Sequence, residues 1–594
     1  MSDIASKLTQ VREQMEKLGL DALIVPRADE YLGEYIPAYN ERLRWISDFT
    51  GSAGMVIVLK DRAAIFVDGR YTVQVRQQVN ENLFDIFHLI KDPQPEWLSQ
   101  QLKAGAKVGF DSRTVTPAWY EQCSETLADA NIQLLDTEVN LIDLCWHDRP
   151  KPIVNKALLL DKAFTGMAST DKRDKIAQLI RDKQADAALI FAADSCNWLL
   201  NIRGRDIPSL PIILGIAVLH SNGNMVFHCN INKLPAGIEQ HVGIGVTFKE
   251  ESELSDTLNL LAGKQVIVDT DTANAWCMLK LRQVGARIIE SADPVIEPKA
   301  CKNRVEIQGF KQAHIRDAAA EVEFLCWLDK IVAEGQRPDE ASLSNYLFNC
   351  RARQKFFVEV SFDTISAAGS NAAMCHYNHV DGTPAKLPDN GIYLVDSGGQ
   401  YFDGTTDITR TVAIGEVTET MKRNFTLVLK GHIALDQARF PEGTTGSQLD
   451  VLARQYLWQQ GLDFDHGTGH GVGHFMSVHE GPQRISPKGN NATLKEGMVI
   501  SNEPGYYEDG NYGIRCENLM FVTRDEAISS DRKPFYRFEA LTLVPFDLRL
   551  VKRSLLTDVE ALWLNNYHQR VYDTISPLLT DEQRTWLKNA CRSI

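Results

Sequence analysis

No stretch of the chain is long and apolar enough to span a bilayer: the clearest apolar run, Leu210–Leu219, has ten residues, and a spanning helix needs about 20. The opening residues, Met1-Ser-Asp-Ile-Ala-Ser-Lys7, lack the basic stretch and apolar core of a secretion signal. Paired cysteine motifs are missing too. The 11 cysteines are scattered from Cys123 to Cys591, their number is odd and no Cys-x-x-Cys occurs, which predicts reduced, buried thiols and not a disulfide framework. Positive charge is in deficit, with 63 Lys and Arg against 78 Asp and Glu and a net charge of −15. That balance argues against a nucleic-acid partner, whose phosphates demand a basic surface. Together these absences predict a cytoplasmic protein with no membrane and no nucleic-acid partner.

What is present is an ordinary globular composition, 44% hydrophobic and 24% charged, in 594 residues. That length accommodates three or four domains at about 150 residues each. Leu8, Val11, Met15 and Leu18 carry a helical period and lead into the strand-like run Asp21–Val25. The same grammar returns when Ile176, Leu179 and Ile180 precede Ala185–Asp194, which is similar to Leu20–Asp29 at an offset of 165 residues. Trp45-Ile-Ser-Asp-Phe-Thr-Gly51 likewise matches Trp198-Leu-Leu-Asn-Ile-Arg-Gly204, each ahead of a β-rich stretch, Met55–Leu59 and Ile212–Leu219. A diverged duplication of one α/β domain is expected. The stiff segment Asp148-Arg-Pro-Lys-Pro152 reads as the linker between the copies. Pro298 and Lys299 read as a second boundary, followed by a long amphipathic helix over 306–331. The expected division is 1–147, 148–299 and 300–594, the last with a C-terminal extension from about 535.

The clusters of His, Asp, Glu and Gly all lie between Cys375 and Glu517. In Ile392–Tyr401 an apolar strand ends in Asp396 and turns at paired glycines, and Thr405–Val412 returns with Asp407. The two acids are expected to face each other across this hairpin, although either alone is more often a turn former. His466-Gly-Thr-Gly-His-Gly-Val-Gly-His474 spaces three histidines by four residues. Each glycine disfavours a helix by about 1 kcal/mol relative to Ala, so an extended backbone is expected, with 466, 470 and 474 on one face. Glu503 and Glu517 sit in short strand-like runs, and a period of two sets Arg515 beside Glu517 with Cys516 opposite. Four carboxylates gathered in a core need positive charge among them, which two divalent cations would supply. Four acids and one histidine form an oxygen-rich donor set that favours manganese, with cobalt, iron or zinc as alternatives.

In order and spacing these residues resemble the pita-bread metallopeptidases, the family of methionine aminopeptidase, prolidase and aminopeptidase P. The His466–His470 segment, Val478-His-Glu-Gly-Pro482 and the two leading α/β domains are most similar to the long, three-domain, cytosolic form of aminopeptidase P. The resemblance implies an α/β (α+β) architecture of two creatinase-like domains followed by a pita-bread catalytic domain. It implies two metal ions held by Asp396, Asp407, His470, Glu503 and Glu517, with Asp407 and Glu517 bridging. It also places His376, His466 and His479 at the substrate and makes Arg515 a support for the ligands. His379 and His474 keep an ordinary structural role.

The implied activity is removal of an N-terminal residue from peptides with proline second, by a metal-bridging hydroxide with Glu503 as proton shuttle. A prolidase-type dipeptidase and a non-catalytic peptide-binding module are the alternatives; complete ligands favour an enzyme. Tails similar to the one after Phe535 pair subunits in this family, so a homodimer is expected.

Overall fold

The computed structural model describes residues 3–594; Met1 and Ser2, the first positions of the expected 1–147 domain, lie outside them. Helix α1 (Ile4–Lys17) buries Ile4, Leu8, Val11 and Met15 on one face, as the three- and four-residue spacing requires. Leu18 does not continue that face. It caps the helix and is 54% exposed, because the chain turns away at Gly19 in the left-handed region, φ 64°.

The first sheet comprises β1 (Ala22–Pro26), β2 (Gly54–Leu59), β3 (Ala63–Val67), β4 (Phe84–His88), β5 (Lys107–Phe110) and β6 (Gln133–Asp136), in the order β4-β3-β2-β1-β5-β6. The second comprises β7 (Ala187–Ile190), β8 (Ile216–His220), β9 (Met225–His228), β10 (Val246–Lys249), β11 (Gln265–Val268) and β12 (Arg287–Glu290), in the order β10-β9-β8-β7-β11-β12. Pairing senses agree strand for strand: β1 with β2 and β7 with β8 are antiparallel, β1 with β5 and β7 with β11 parallel. The duplicated tryptophan segments also fold alike. Helix α2 (Arg42–Ser47) ends at Asp48, φ 63°, and α3 (Ala193–Leu200) ends at Asn201, φ 51°. Both are the short polar residues that tolerate the left-handed region. One expectation shifts: the strand expected over Ile212–Leu219 begins only at Ile216. Upstream, the N–H groups of Ile213 and Leu214 donate to the side chains of Asn197 and Asp206. Both sheets belong to one compact unit, the chain up to Leu159 with Met167–Pro208 and Ile212–Ile296.

The other unit holds Leu160–Gly166, Ser209–Pro211 and Glu297–Ile594. Pro298 and Lys299, read as a break, sit in a short helix, Ile296–Ala300, whose first turn needs no N–H from proline. Helix α4 (Arg304–Ala333) follows, opened by an Asn303/Glu306 capping box, and then α5 (Glu340–Ala352). A three-stranded antiparallel sheet has β14 (Gly391–Ser397) between β13 (Ile365–Ala368) and β15 (Ile408–Ile414). Helices α6 (Glu419–Asp436) and α7 (Gly446–Trp458) come next.

A six-stranded antiparallel sheet is built from the edge strand Arg439–Pro441 and β16 (Gly469–Gly471), β17 (Glu480–Ile485), β18 (Val499–Asn502), β21 (Asn518–Arg524) and β22 (Phe535–Ala540). Between β18 and β21 the chain forms a hairpin, β19 (Gly505–Glu508) with β20 (Tyr512–Arg515). Helices α8 (Asp558–Ile575) and α9 (Asp581–Ala590) end the chain, and Leu564, Val571 and Leu587 join the core of Phe324, Val395, Val412 and Val428. Among the described residues no cysteine forms a disulfide, and Cys516 is buried in that core. Among the described residues no helix is long and apolar enough to cross a membrane.

Candidate active site

The acids sit at the ends of strands, where the backbone leaves its ladder and side chains converge. Asp396 lies near the end of β14, opposite Thr409 of β15 and not opposite Asp407, which precedes β15. Glu503 follows β18, and Glu517 falls between β20 and β21. His470 is central in β16, which is extended as the glycines require: a Cβ on Gly469 or Gly471 would collide with the carbonyls of Ser501 and Glu480. A register shift after His470 ends the alternation, so His474 does not continue the row. It is buried with its ring edge-on to Phe310, centroids 5.5 Å apart.

One oxygen or nitrogen from each of Asp407, His470 and Glu517 lies within 4.8 Å of the other two. His470 Nε2 is 3.5 Å from Asp407 Oδ2 and 3.4 Å from Glu503 Oε1. Asp396 bonds Arg515 Nη2, while its Oδ1 is buried with no hydrogen-bond partner among the described residues. Burial, and then the charges of Asp407 and Glu503, push the Asp396 carboxyl up to about 7 against the pull of Arg515. Burial also raises Glu503, and burial with the charges of Asp407, Glu503 and Asp396 raises Glu517 far above the usual range. His470 goes the other way: burial opposes its charge, but Asp407 and Glu503 hold it up to about 9. This is an excess of buried negative charge, with oxygen donors converging and one acceptor unused. It suits hard divalent cations.

Arg515 and Thr409 tie the cluster together. Thr409 Oγ1 donates to Glu517 Oε2 at 2.6 Å and accepts from Arg515 Nε at 3.0 Å. Arg515 Nη1 donates to the Tyr507 hydroxyl at 2.6 Å, which lies 2.8 Å from His466 Nε2. The rings of His470 and His479 approach edge to face at 4.4 Å. His376 is part-buried in the loop between β13 and β14. That loop passes over β20, where the Ala372 carbonyl leaves no room for a Cβ on Gly513, and Cys375 acts electrostatically on Tyr507.

Other supports had no local signal. Glu480, next to His479, is gripped by Lys299 and Lys302, with all three side chains at most 2% exposed. Arg410 is fully engaged as well: its Nη1 donates to the Glu517 carbonyl at 2.5 Å and its Nη2 to Val544 O at 2.7 Å and the Tyr567 hydroxyl at 3.2 Å. Thr409 alone was within reach of a period-two reading, since it follows Asp407 on the same strand face.

Residues 308–524 match metallopeptidase family M24 and 534–594 match the C-terminal region of peptidase M24. Residues 7–145 and 148–306 match two models of the creatinase/prolidase N-terminal domain. The probable Xaa-Pro aminopeptidase P of Tuber melanosporum is 38% identical over 96% of this chain and 96% of its own. That of Botryotinia fuckeliana is 37% identical over 98% and 92%. The X-prolyl aminopeptidase of Caenorhabditis elegans, described as a cytosolic enzyme with a di-nuclear active site, matches with a TM-score of 0.95 at 34% identity over 100% of both chains. The dipeptidase PepE of Mycobacterium ulcerans, 23% identical with a TM-score of 0.51 over 64% of this chain, shares the fold alone. With such identity running the length of both fungal relatives, and the M24 match falling on the segment that gathers the acids, this chain belongs to the aminopeptidase P group of metallopeptidase family M24.

Proposed function

We propose that the chain is a metal-dependent Xaa-Pro aminopeptidase that hydrolyses the first peptide bond of peptides with proline in second position. The carrying observation is the convergence of four carboxylates and His470 with an unmatched buried charge. Asp396, Asp407, His470, Glu503 and Glu517 would hold two divalent cations, and the oxygen-rich set suits manganese best. When bound, such cations lower the pKa of coordinated water and polarise a carbonyl.

The chain's own groups do the rest. Glu503, oriented by Ser501 Oγ at 3.2 Å, accepts a proton from the attacking water at a carboxylate oxygen. As the C–N bond breaks, it passes that proton to the proline nitrogen, which cannot leave as an amide anion. Arg515 balances charge while fixing Asp396 and, through Thr409, Glu517. One histidine, His479 or His376, donates to the carbonyl oxygen as it gains charge. His466, on Tyr507, faces the substrate backbone, where a proline bond offers a ring and no N–H.

We further infer a cytoplasmic homodimer with domains at 1–147, 148–299 and 300–594. The extension near 535–594 supports the pairing. Release of free arginine from Arg-Pro-Pro by the manganese-loaded protein, abolished by chelation, is the expected result; no release would favour a peptide-binding role. Preference for Arg-Pro over Arg-Pro-Pro would instead mark a prolidase. A monomer mass by light scattering would refute the dimer.

A further inference from the structure

Glu340, at the start of α5, is 0% exposed. Its Oε1 accepts from Ala368 N at 2.8 Å and Asn371 Nδ2 at 2.9 Å. Its Oε2 accepts from the Tyr377 hydroxyl at 2.8 Å and Ala385 N at 2.8 Å. Asn371 Nδ2 also reaches the Tyr377 hydroxyl at 3.0 Å. The main-chain carbonyl of Glu340 takes Ser366 Oγ at 2.8 Å, which in turn meets the Tyr393 hydroxyl at 2.7 Å.

Of the four donors to the carboxylate, Ala368 ends β13 and Asn371, Tyr377 and Ala385 lie in the connection from β13 to β14. This connection has only two short 3₁₀ turns, Gly369–Ala373 and His379–Asp381, so no ladder of its own fixes its path. A single carboxylate grips it at its start, its middle and near its end. Bonds to an ionised acceptor are roughly twice as strong as neutral ones. The middle grip is Tyr377, the neighbour of His376. On the other side of the same loop, Ala372 abuts Gly513 and Cys375 acts on Tyr507.

We propose that Glu340 is a positioning residue: through Tyr377, Asn371 and the two backbone N–H groups it holds His376 at the scissile carbonyl. The proposal rests on the reading of His376 as a substrate-site histidine. An acid is required because four donors converge on it. Glutamine would turn an NH₂ group toward the N–H of Ala368 or Ala385, and neither can rotate to accept.

The test is a double-mutant cycle in the full chain loaded with Mn²⁺, comparing Glu340→Gln, Tyr377→Phe and His376→Ala alone and combined, with kcat and KM for Arg-Pro-Pro. Manganese content and melting temperature report on the site and the fold. Misplacement by about 1 Å can lower a rate about 100-fold, so Glu340→Gln is expected to lose about that factor in kcat and Tyr377→Phe about tenfold, with metal content unchanged. In the His376→Ala background both are expected to lose nothing further, because the group they position is gone. Losses that multiply in the double variants would overturn the role of Glu340 while leaving that of His376 standing. Full activity of His376→Ala would overturn both. Tyr377→Phe removes one hydroxyl and carries the cycle by itself if Glu340→Gln does not fold.

Discussion

Thr409 bridges a carboxylate and a guanidinium: its hydroxyl donates to Glu517 Oε2 at 2.6 Å while receiving Arg515 Nε at 3.0 Å. The hydroxyl is 0% exposed to solvent with the rest of the residue, so no water replaces it when it is removed. Thr409→Val keeps the shape and deletes both bonds. Supports of this kind are worth about 10- to 100-fold in metal affinity, and Thr409→Val is expected to weaken Mn²⁺ binding by that factor in calorimetric titration. Unchanged affinity would remove Thr409 from the account.

Glu480 lies between two ammonium groups in the protein interior, with Lys299 Nζ at 2.8 Å. Removing the acid takes this counter-charge from two buried ammonium groups, a loss of about 3–5 kcal/mol for a buried pair. Glu480→Gln should lower the urea midpoint accordingly. Glu582, which pairs with Lys330 at the surface with both side chains over half exposed, serves as the control. Its substitution by Gln should leave the midpoint in place.

His568 is buried and accepts from Phe546 N at 3.1 Å, and burial pushes its pKa down to about 3. The unfolded chain takes up a proton near pH 6.5 that the folded chain refuses. The stability this residue contributes is therefore complete above pH 6.5 and declines as pH falls toward 3. His568→Gln retains an acceptor without the titration. Between pH 7.5 and 5 the stability gap between wild type and His568→Gln should narrow by about 2 kcal/mol, measured by urea unfolding at each pH. A gap independent of pH would show that His568 titrates normally.

Chelation should lower the melting temperature, since the crowded carboxylates lose their counter-charge. A metal that binds only the folded chain stabilises it by about 2.7 kcal/mol at 100 times its Kd. Mn²⁺ added to the chelated protein is expected to raise the transition in a concentration-dependent way. The same increments should be absent in a variant carrying both Asp407→Asn and Glu517→Gln.

The acids were legible because they end strand-like runs beside glycines, a local pattern. So was the duplication, where Trp45 to Asp48 and Trp198 to Asn201 share a helix end and a left-handed residue. Their partners were not legible. Glu340 meets Tyr377 across 37 positions, Lys299 meets Glu480 across 181, and Arg410 meets Tyr567 across 157. No periodicity reaches that far. The opposition of Asp396 to Asp407 was misread because the register runs from Asp396 to Thr409, and the intervening glycine turns hide two positions. The row of histidines failed at His474 for a similar reason: a register shift after His470 leaves no mark in spacing.

Arg410 gives the tail an importance that its lack of reactive groups conceals. One guanidinium grips the backbone at Glu517 and, with its other arm, the segment around Val544 and the hydroxyl of Tyr567. Anyone trimming this protein to a minimal peptidase would be tempted to stop where the catalytic family match does, at residue 524. Such a fragment would leave that cation buried with half its anchors cut away, next to the peptide unit of Glu517, one of the acids proposed to hold the metals. The helices at the end thus act as a back wall for the reaction chamber, and a working miniature has to keep them.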